Sequence, residues 1–374
     1  MRMPPQPISN SNPRPVNGGG EAGFSLVESL VSMILLLIIT GAVFGFVNPN
    51  TTVSQAQPEA MDMQQRARVA ADLLFRDLFM AGAGVYSGPK TGALGNFFAP
   101  IIPRKMGLNN ADAYTVVRDD ALTISYVPNT YSQTTIRQPM PQPSSELKVD
   151  EQSNCPHGEA LCGFTVGMTV LIFDEEGHFD FFTVTQVQDD AAHLQHRQQD
   201  LSYPYAPPAN IVQADSHTYY YDDAQKQLRH YDGYLTDVPV VDNVVALRFD
   251  YFGDPNPPVK PKPSLGVTNC LYDAGGNLLG GLNNLTTQGG SLAPLPISLL
   301  SDGPWCGGGE NRFDADLLRV KKVRITLRVQ AGQASMRATG SDYAVAGTSK
   351  SALKALPDYT IVFEVSPRNM NLGR

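Results

Sequence analysis

The chain has 374 residues, 42% of them hydrophobic, and a formal net charge of −8 at pH 7. This length and composition allow a substantial core in addition to any membrane segment. The acidic balance argues against binding to nucleic acid through a broad basic surface, so we expect no nucleic-acid partner.

A largely apolar run occupies residues 24–47 and contains a single charged residue, Glu28. As a helix that rises about 1.5 Å per residue, it would be about 36 Å long, enough to cross the hydrocarbon core of a bilayer. Core helices of soluble proteins rarely have so many consecutive apolar residues. A cleaved secretory signal has a shorter apolar region, followed by a small-x-small site. We therefore expect a retained membrane anchor.

Six residues at the start of this run form a specific motif: Gly23, Phe24, Ser25, Leu26, Val27 and Glu28. The motif resembles the N-terminus of the type IV prepilin family. In that family a prepilin peptidase cuts after the glycine and methylates the new N-terminus. The resemblance implies that residues 1–23 are a leader peptide, long for the family, and that cleavage between Gly23 and Phe24 leaves an N-methylated Phe24.

Glu28 would be the fifth residue of the mature chain, the characteristic acidic position of the family. A lone carboxylate in hydrocarbon must be neutralised, hydrated or paired. The resemblance implies that Glu28 pairs with the Phe24 amine of a neighbouring subunit and so sets the axial register during assembly.

The charges that flank the run predict its orientation. Arg2 and Arg14 precede it, whereas residues 48–65 contain no Lys or Arg. Because cytoplasmic flanks carry the positive excess, we expect a single pass through the inner membrane, with a cytoplasmic N-terminus and a periplasmic C-terminal domain. The resemblance implies later passage into an extracellular pilus.

After the anchor, Asn48-Pro49-Asn50 predicts an interruption of the helix. Residues 48–84 are then a linker and a second helical segment that resumes near Pro58. The small and apolar residues of this segment recur at helical spacing and predict a face packed on a sheet, not a ligand site: Ala67, Ala70, Leu74, Leu78 and Ala81.

Residues 85–374 predict a β-rich domain. Alternating or apolar runs bounded by turn residues predict a strand at 122–126, hairpins at 165–187 and 219–231, and strands at 244–251, 320–329 and 359–365. Residues 253–311 are rich in Pro and Gly and are expected to be an insertion.

The four cysteines fit an exported domain. Zinc would favour Cys-x-x-Cys pairs, which are absent from the sequence, whereas an even count in an oxidising compartment favours disulfides over a catalytic thiol or core cysteines. Four cysteines allow three pairings. Proximity favours Cys155 with Cys162 and Cys270 with Cys306.

Nothing in the sequence indicates catalysis. The six histidines lack recognisable ligand spacing, and His193 and His196 would suit a metal only on a helix. The acidic stretch at 174–177 is too short for an EF-hand and reads as a turn. The glycines at 307–309 lack the Lys of a P-loop. We therefore predict a protein that is not an enzyme and has no cofactor or metal.

Together these features predict an α+β, pilin-like fold, in which a long hydrophobic N-terminal helix packs on an antiparallel β-sheet. Residues 67–84, the Tyr-rich hairpin, residues 238–244 and the last strands resemble PilW-type minor pilins. The resemblance implies a structural subunit of the type IV pilus. Its partners would be the prepilin peptidase, other major and minor pilins, the inner-membrane assembly machinery and, before assembly, membrane lipid. A pseudopilin of type II secretion and a membrane-tethered binding or adhesin domain remain alternatives.

Overall fold

The computed structural model describes residues 25–85, 92–129, 131–287, 289–337 and 356–371, with the backbone alone for residues 46–55. The chain divides into two compact units between Gln55 and Ala56. One long α-helix, α1, begins in the first unit, and the second unit contains the last part of α1 and every described strand. Within the described ranges there are also six short 3-10 helices, at Leu94–Asn96, Asp189–Ala191, Leu299–Ser301, Gly309–Asn311, Ala315–Arg319 and Ala334–Met336.

Helix α1 runs over Leu26–Met80. The predicted interruption at Asn48-Pro49-Asn50 is wrong, because the backbone is helical there and through Pro58, which lies inside the helix. A proline removes one hydrogen bond and crowds the carbonyl four residues before it, but it leaves the other bonds of the helix in place. Residues 48–80 are therefore helical and belong to α1.

A glycine turn ends α1. Gly82 has a φ of 78°, the left-handed conformation that commonly terminates helices and that glycine adopts without steric cost. Its amide donates to the carbonyl of Ser125, 3.0 Å away. A Cβ at this position would lie 3.0 Å from Cγ of Met370. The end of the helix is therefore hydrogen-bonded to the neighbouring strand in a space that suits glycine.

Eighteen strands are defined among the described residues, and every strand pair is antiparallel, so the fold is α+β. They are β1 Ile101–Ile102, β2 Ala121–Tyr126, β3 Gln133–Thr135, β4 Leu147–Lys148, β5 Thr169–Phe173, β6 Phe179–Thr183, β7 Gln186–Gln188, β8 His193–Gln195, β9 Asn210–Gln213, β10 Asp215–Asp222, β11 Gln227–Tyr231, β12 Asp237–Asp242, β13 Val244–Gly253, β14 Ala293–Leu295, β15 Trp305–Cys306, β16 Phe313–Asp314, β17 Val320–Val329 and β18 Tyr359–Val365.

The main core lies between the C-terminal part of α1 and two sheets, with strand orders β1-β2-β10-β11-β12 and β14-β13-β17-β18. The predicted stripe of α1 is fully buried in it: Ala67, Ala70, Leu74, Leu78 and Ala81. Residues on both faces of β2 are buried. On the face that carries Thr123, the Thr123 hydroxyl donates a hydrogen bond to the Arg104 carbonyl. The expectation that this face of the helix packs on a sheet is confirmed.

Residues 127–214 form an excursion between β2 and β10, which are themselves paired neighbours. Two small sheets build it, with orders β3-β9-β5-β6 and β4-β8-β7, and it has a core of its own. In β5, Val170 and Ile172 point into this second core, whereas Leu171 and Phe173 point into the main core. A strand buried on both faces separates the two cores, which explains its uninterrupted apolar sequence.

The segment at residues 253–311 is a second excursion, between β13 and β17, which are also paired. It returns to the sheet where β14 pairs with β13, and β15 then pairs with β16. Leu271, Tyr272 and Leu300 are buried in the main core. The predicted insertion is therefore folded onto the domain along much of its length.

Two disulfides join Cys155 to Cys162 and Cys270 to Cys306, the same pairs that proximity in the sequence favours. Their sequence separations are 7 and 36 residues. Each bridge lies within one excursion, since Cys155–Cys162 closes a loop before β5 and Cys270–Cys306 spans most of the 253–311 segment.

We predict that the two bridges stabilise the fold unequally. In the chain-entropy model, closing the 36-residue loop contributes about 4 kcal/mol and closing the 7-residue loop about 2 kcal/mol. Replacing Cys270 and Cys306 by Ser should therefore lower the free energy of unfolding more than replacing Cys155 and Cys162. Urea unfolding of the full chain in detergent, without reductant, measures both. Equal losses, or the reverse order, would contradict this.

Candidate functional site

The first candidate site is the apolar part of α1. Residues Leu26–Gly45 form a helical segment long and apolar enough to cross a membrane. Every large hydrophobic side chain between Leu26 and Phe44 is exposed, with exposed fractions from 49% to 80%. A continuous apolar surface of this kind marks contact with a membrane or with other proteins. The length and composition of this segment are thus compatible with crossing a membrane. Its exposed side chains are available to contact lipid or other proteins.

Glu28 lies in the first turn of this segment and is exposed. The carbonyl of Ser25 accepts hydrogen bonds from the amides of Glu28 and Ser29, which starts the helix. Among the described residues the Glu28 carboxylate has no hydrogen-bond or ion-pair partner. Gly23 and Phe24, the expected cleavage site, lie outside the described residues, so the structure places only Ser25 to Glu28 of the motif.

Two hydroxyl groups inside the apolar segment are hydrogen-bonded within the helix. The Ser32 hydroxyl donates to the Glu28 carbonyl at 2.8 Å, and the Thr40 hydroxyl donates to the Leu36 carbonyl at 2.5 Å. A polar group without a partner in hydrocarbon costs several kcal/mol, and a hydrogen bond to the preceding turn avoids this cost. Glu28 is therefore the polar side chain of this segment that most needs an external partner.

A second candidate is a cavity of about 330 Å³ where the first sheet, the 127–214 excursion and the 253–311 excursion meet. Its wall includes aliphatic, aromatic and polar residues, among them Leu108, Phe181, Ser202, Ser216, Tyr234 and Asn311. We refer to it as the junction cavity. A concave site lined by apolar side chains together with a few polar groups is typical of ligand sites.

Asp180 in β6 lies in the wall of the junction cavity and is 5% exposed. Its Oδ2 accepts hydrogen bonds from the amide and the hydroxyl of Ser202 and from the Tyr205 hydroxyl, all within 2.9 Å. Its Oδ1 accepts from the Asn311 side-chain amide at 2.6 Å. Asp180 therefore ties the two excursions together. Burial raises its pKa to about 6, although the four hydrogen bonds oppose the rise.

The acidic stretch Asp174-Glu175-Glu176-Gly177 forms the turn between β5 and β6. The Asp174 Oδ1 accepts hydrogen bonds from the amides of Glu176 and His178, both at 2.9 Å. A side chain that bonds to the backbone of its own turn is a common reason for Asp at such a position. The turn that the sequence predicts is confirmed.

His193 and His196 have different partners. The Nδ1 of His193 lies 3.2 Å from Oε1 of Glu146, whereas the two ring nitrogens of His196 contact the carbonyls of Gln199 and Ser145. The spacing of three residues places one histidine in β8 and the other just beyond it, so the two do not share a ligand.

The hairpin β10–β11 brings His217 and His230 together, with Nδ1 of His217 and Nε2 of His230 2.7 Å apart. Asp77 of α1 lies beside them, its Oδ2 3.9 Å from Nδ1 of His217. No fixed local spacing of ligand residues in the sequence indicates this cluster. The predicted hairpin contained the signal, since pairing Tyr219 with His230 across the strands puts His217 and His230 on one face.

Comparisons of the chain with protein-family models, with curated proteins and with solved structures find no match. The motif, the exposed helix segment and the sites within the domain are therefore the features that indicate the function.

The raised pKa of Asp180 predicts a pH-dependent stability. Its pKa in the folded chain is about 6, against an ordinary value of 3.8, so the folded state holds this proton more tightly than the unfolded state. The resulting stabilisation is complete below about pH 4 and is lost as the pH rises through about 6. Asp180→Asn should remove up to about 3 kcal/mol of the decline in unfolding free energy between about pH 4 and pH 7.

Urea unfolding at both pH values measures this difference in slope. Asp200→Asn, an exposed carboxylate at the same cavity, is the matched control and should decline as the unaltered chain does. The pKa of Asp316 is also raised to about 6, chiefly by burial. Its contribution to the decline in unfolding free energy is the same in the unaltered chain and in both variants. A slope unchanged by Asp180→Asn would contradict the assignment.

Proposed function

We propose that this chain is a type IV pilin-like minor subunit of the PilW type, a structural protein and not an enzyme. The observation that carries the proposal is the Gly23-Phe24 to Glu28 motif placed at the start of a helix segment whose apolar side chains are all exposed. A prepilin peptidase would cut between Gly23 and Phe24 and methylate Phe24. The mature chain would be held in the inner membrane, with its domain in the periplasm, until it enters the pilus.

Assembly would exchange lipid for other helices around residues 24–47. In the bilayer the exposed apolar side chains contact acyl chains, and in a filament they contact the same segment of other major and minor pilins. The Glu28 carboxylate, which lacks a partner among the described residues, would pair with the amine of Phe24 in a neighbouring subunit. That pair fixes the axial position of one subunit against the next, because a displaced carboxylate would be left unpaired in an apolar surrounding.

The second unit supports this proposal through its arrangement. The C-terminal part of α1 is buried against antiparallel sheets, as expected for a pilin-like domain, while none of the described residues buries Leu26–Gly45. The two disulfides suit a domain that is exported to an oxidising compartment. A type II secretion pseudopilin would share the processing and the helix, and linkage of the gene to a retraction ATPase or to a secretin operon separates these two roles.

A binding or adhesin role for the exported domain has one specific observation in its favour, the junction cavity built by the two excursions. Such a role is compatible with a place in a pilus. It predicts that a ligand protects the residues of the cavity, whereas a purely structural subunit needs no ligand there.

We predict that Glu28→Ala leaves cleavage intact and lowers incorporation into filaments several-fold, because the variant keeps the peptidase site but loses the charge that pairs with a neighbour. Quantitative immunoblotting of sheared filaments against membranes measures incorporation. Glu21→Ala is the matched control, since it removes an acid that lies in the leader and is absent from the mature chain. Normal incorporation of the Glu28 variant would count against the register role.

A further inference from the structure

Three groups that bind metals meet where α1 lies on the first sheet. They are the Asp77 carboxylate at the end of α1 and the imidazoles of His217 in β10 and His230 in β11. Their ligand atoms all lie within 4.8 Å of one another. Because two histidines and a carboxylate converge from separate elements, the set has the composition of a transition-metal site and not of an acidic surface patch.

The distances suit a tetrahedral ion. With metal–ligand bonds of about 2.0–2.1 Å, neighbouring ligand atoms in a tetrahedral site lie about 3.3–3.4 Å apart. Here Nδ1 of His217 is 2.7 Å from Nε2 of His230 and 3.9 Å from Oδ2 of Asp77. The two distances lie on either side of the ideal value, and all three ligand atoms lie within 4.8 Å of one another. Side-chain shifts of about 1 Å, with loss of the hydrogen bond between the two imidazoles, would therefore bring the three atoms around one ion.

Two tyrosine hydroxyls hold these candidate ligands in place by hydrogen bonds. The Nε2 of His217 lies 3.1 Å from the Tyr126 hydroxyl, so Nε2 can carry the proton and leave Nδ1 free to bind. The Tyr219 hydroxyl donates to Oδ2 of Asp77 at 2.6 Å and fixes the carboxylate. Such partners orient metal ligands and select the histidine tautomer.

We propose that Asp77, His217 and His230 bind one divalent transition-metal ion, with Zn²⁺ the best fit. Imidazole nitrogens exclude Ca²⁺ and Mg²⁺, which take oxygen ligands, and Zn²⁺ accepts two histidines and a carboxylate with a fourth position open. The His217 side chain is 22% exposed, so water can reach that position. The ion links the end of α1 to two strands of the sheet, and its binding therefore stabilises the folded domain.

Equilibrium dialysis of the full chain in detergent, purified without a histidine tag, tests the site with Zn²⁺ alone. We expect one Zn²⁺ per chain and a rise in Tm with Zn²⁺. His217→Gln and His230→Gln should abolish this binding, and Tyr126→Phe should weaken it by about tenfold or more. His193→Gln, at a histidine that pairs with Glu146, is the matched control and should bind as the unaltered chain does.

X-ray absorption of the Zn²⁺-loaded unaltered chain gives a second readout that does not depend on the folding of any variant. We expect the signature of two imidazole ligands, with oxygen atoms completing the set. Absence of stoichiometric Zn²⁺ binding, an ion surrounded by oxygen alone, or binding that survives both histidine substitutions would overturn the proposal. None of these outcomes bears on cleavage at Gly23 or on the role of Glu28.

Discussion

The central constraint on this structure is that one part of helix α1 is buried and another part is exposed. Toward its C-terminal end α1 presents a stripe of alanine and leucine that is fully buried against antiparallel sheets, whereas Leu26–Gly45 presents large apolar side chains to nothing within the described chain. Full burial of one leucine side chain contributes about 1.5–3 kcal/mol, so Leu74 and Leu78 alone hold that end of the helix firmly. The exposed part has the same driving force without a partner. Lipid or other helices would cover it, and the proposed function supplies both in turn.

Polar contacts fix how the buried end of α1 lies on the sheet. The Asp77 carboxylate accepts a hydrogen bond from Tyr219, and the amide of Gly82 donates to the carbonyl of Ser125. A carboxylate that is 3% exposed is stable only with such partners, so Asp77 restricts the helix to one position along β10. The two excursions leave and rejoin this framework between paired strands, β2 with β10 and β13 with β17. Both excursions also contribute to it, since Leu171 of the first and Leu271 of the second are buried in the main core and β14 pairs with β13.

The sequence predicted the structure correctly where a segment had one clear hydrophobic periodicity or one recognisable turn. The stripe from Ala67 to Ala81, the hairpin closed by Asp174 to Gly177, and the strands β17 and β18 all follow from local pattern. It was misleading at Pro49 and Pro58, because each proline removes only one hydrogen bond from a helix that neighbouring residues continue. The separate core of residues 127–214 was missed for another reason. Strands such as β5, which are buried on both faces, show no alternation that would assign them to one core or to two.

The candidate sites also differ in whether the sequence alone reveals them. Glu28 could be found from the sequence, since a charge inside a long apolar run is conspicuous in one dimension. Asp180 and Asp77 could not, because their partners come from elements that only the folded sheets bring together, whereas the β10–β11 hairpin already implies that His217 and His230 share a face. For Asp180 the distant partner is Asn311, and for Asp77 it is a hairpin more than a hundred residues further along the chain.

Intact mass and N-terminal sequencing of the chain recovered from membranes test the central claim most directly, in cells with and without a prepilin peptidase. The account predicts a mature chain that begins at Phe24 and carries one added methyl group where the peptidase is present, and a chain that retains residues 1–23 where it is absent. A chain that begins at Met1 in cells with an active peptidase would contradict it.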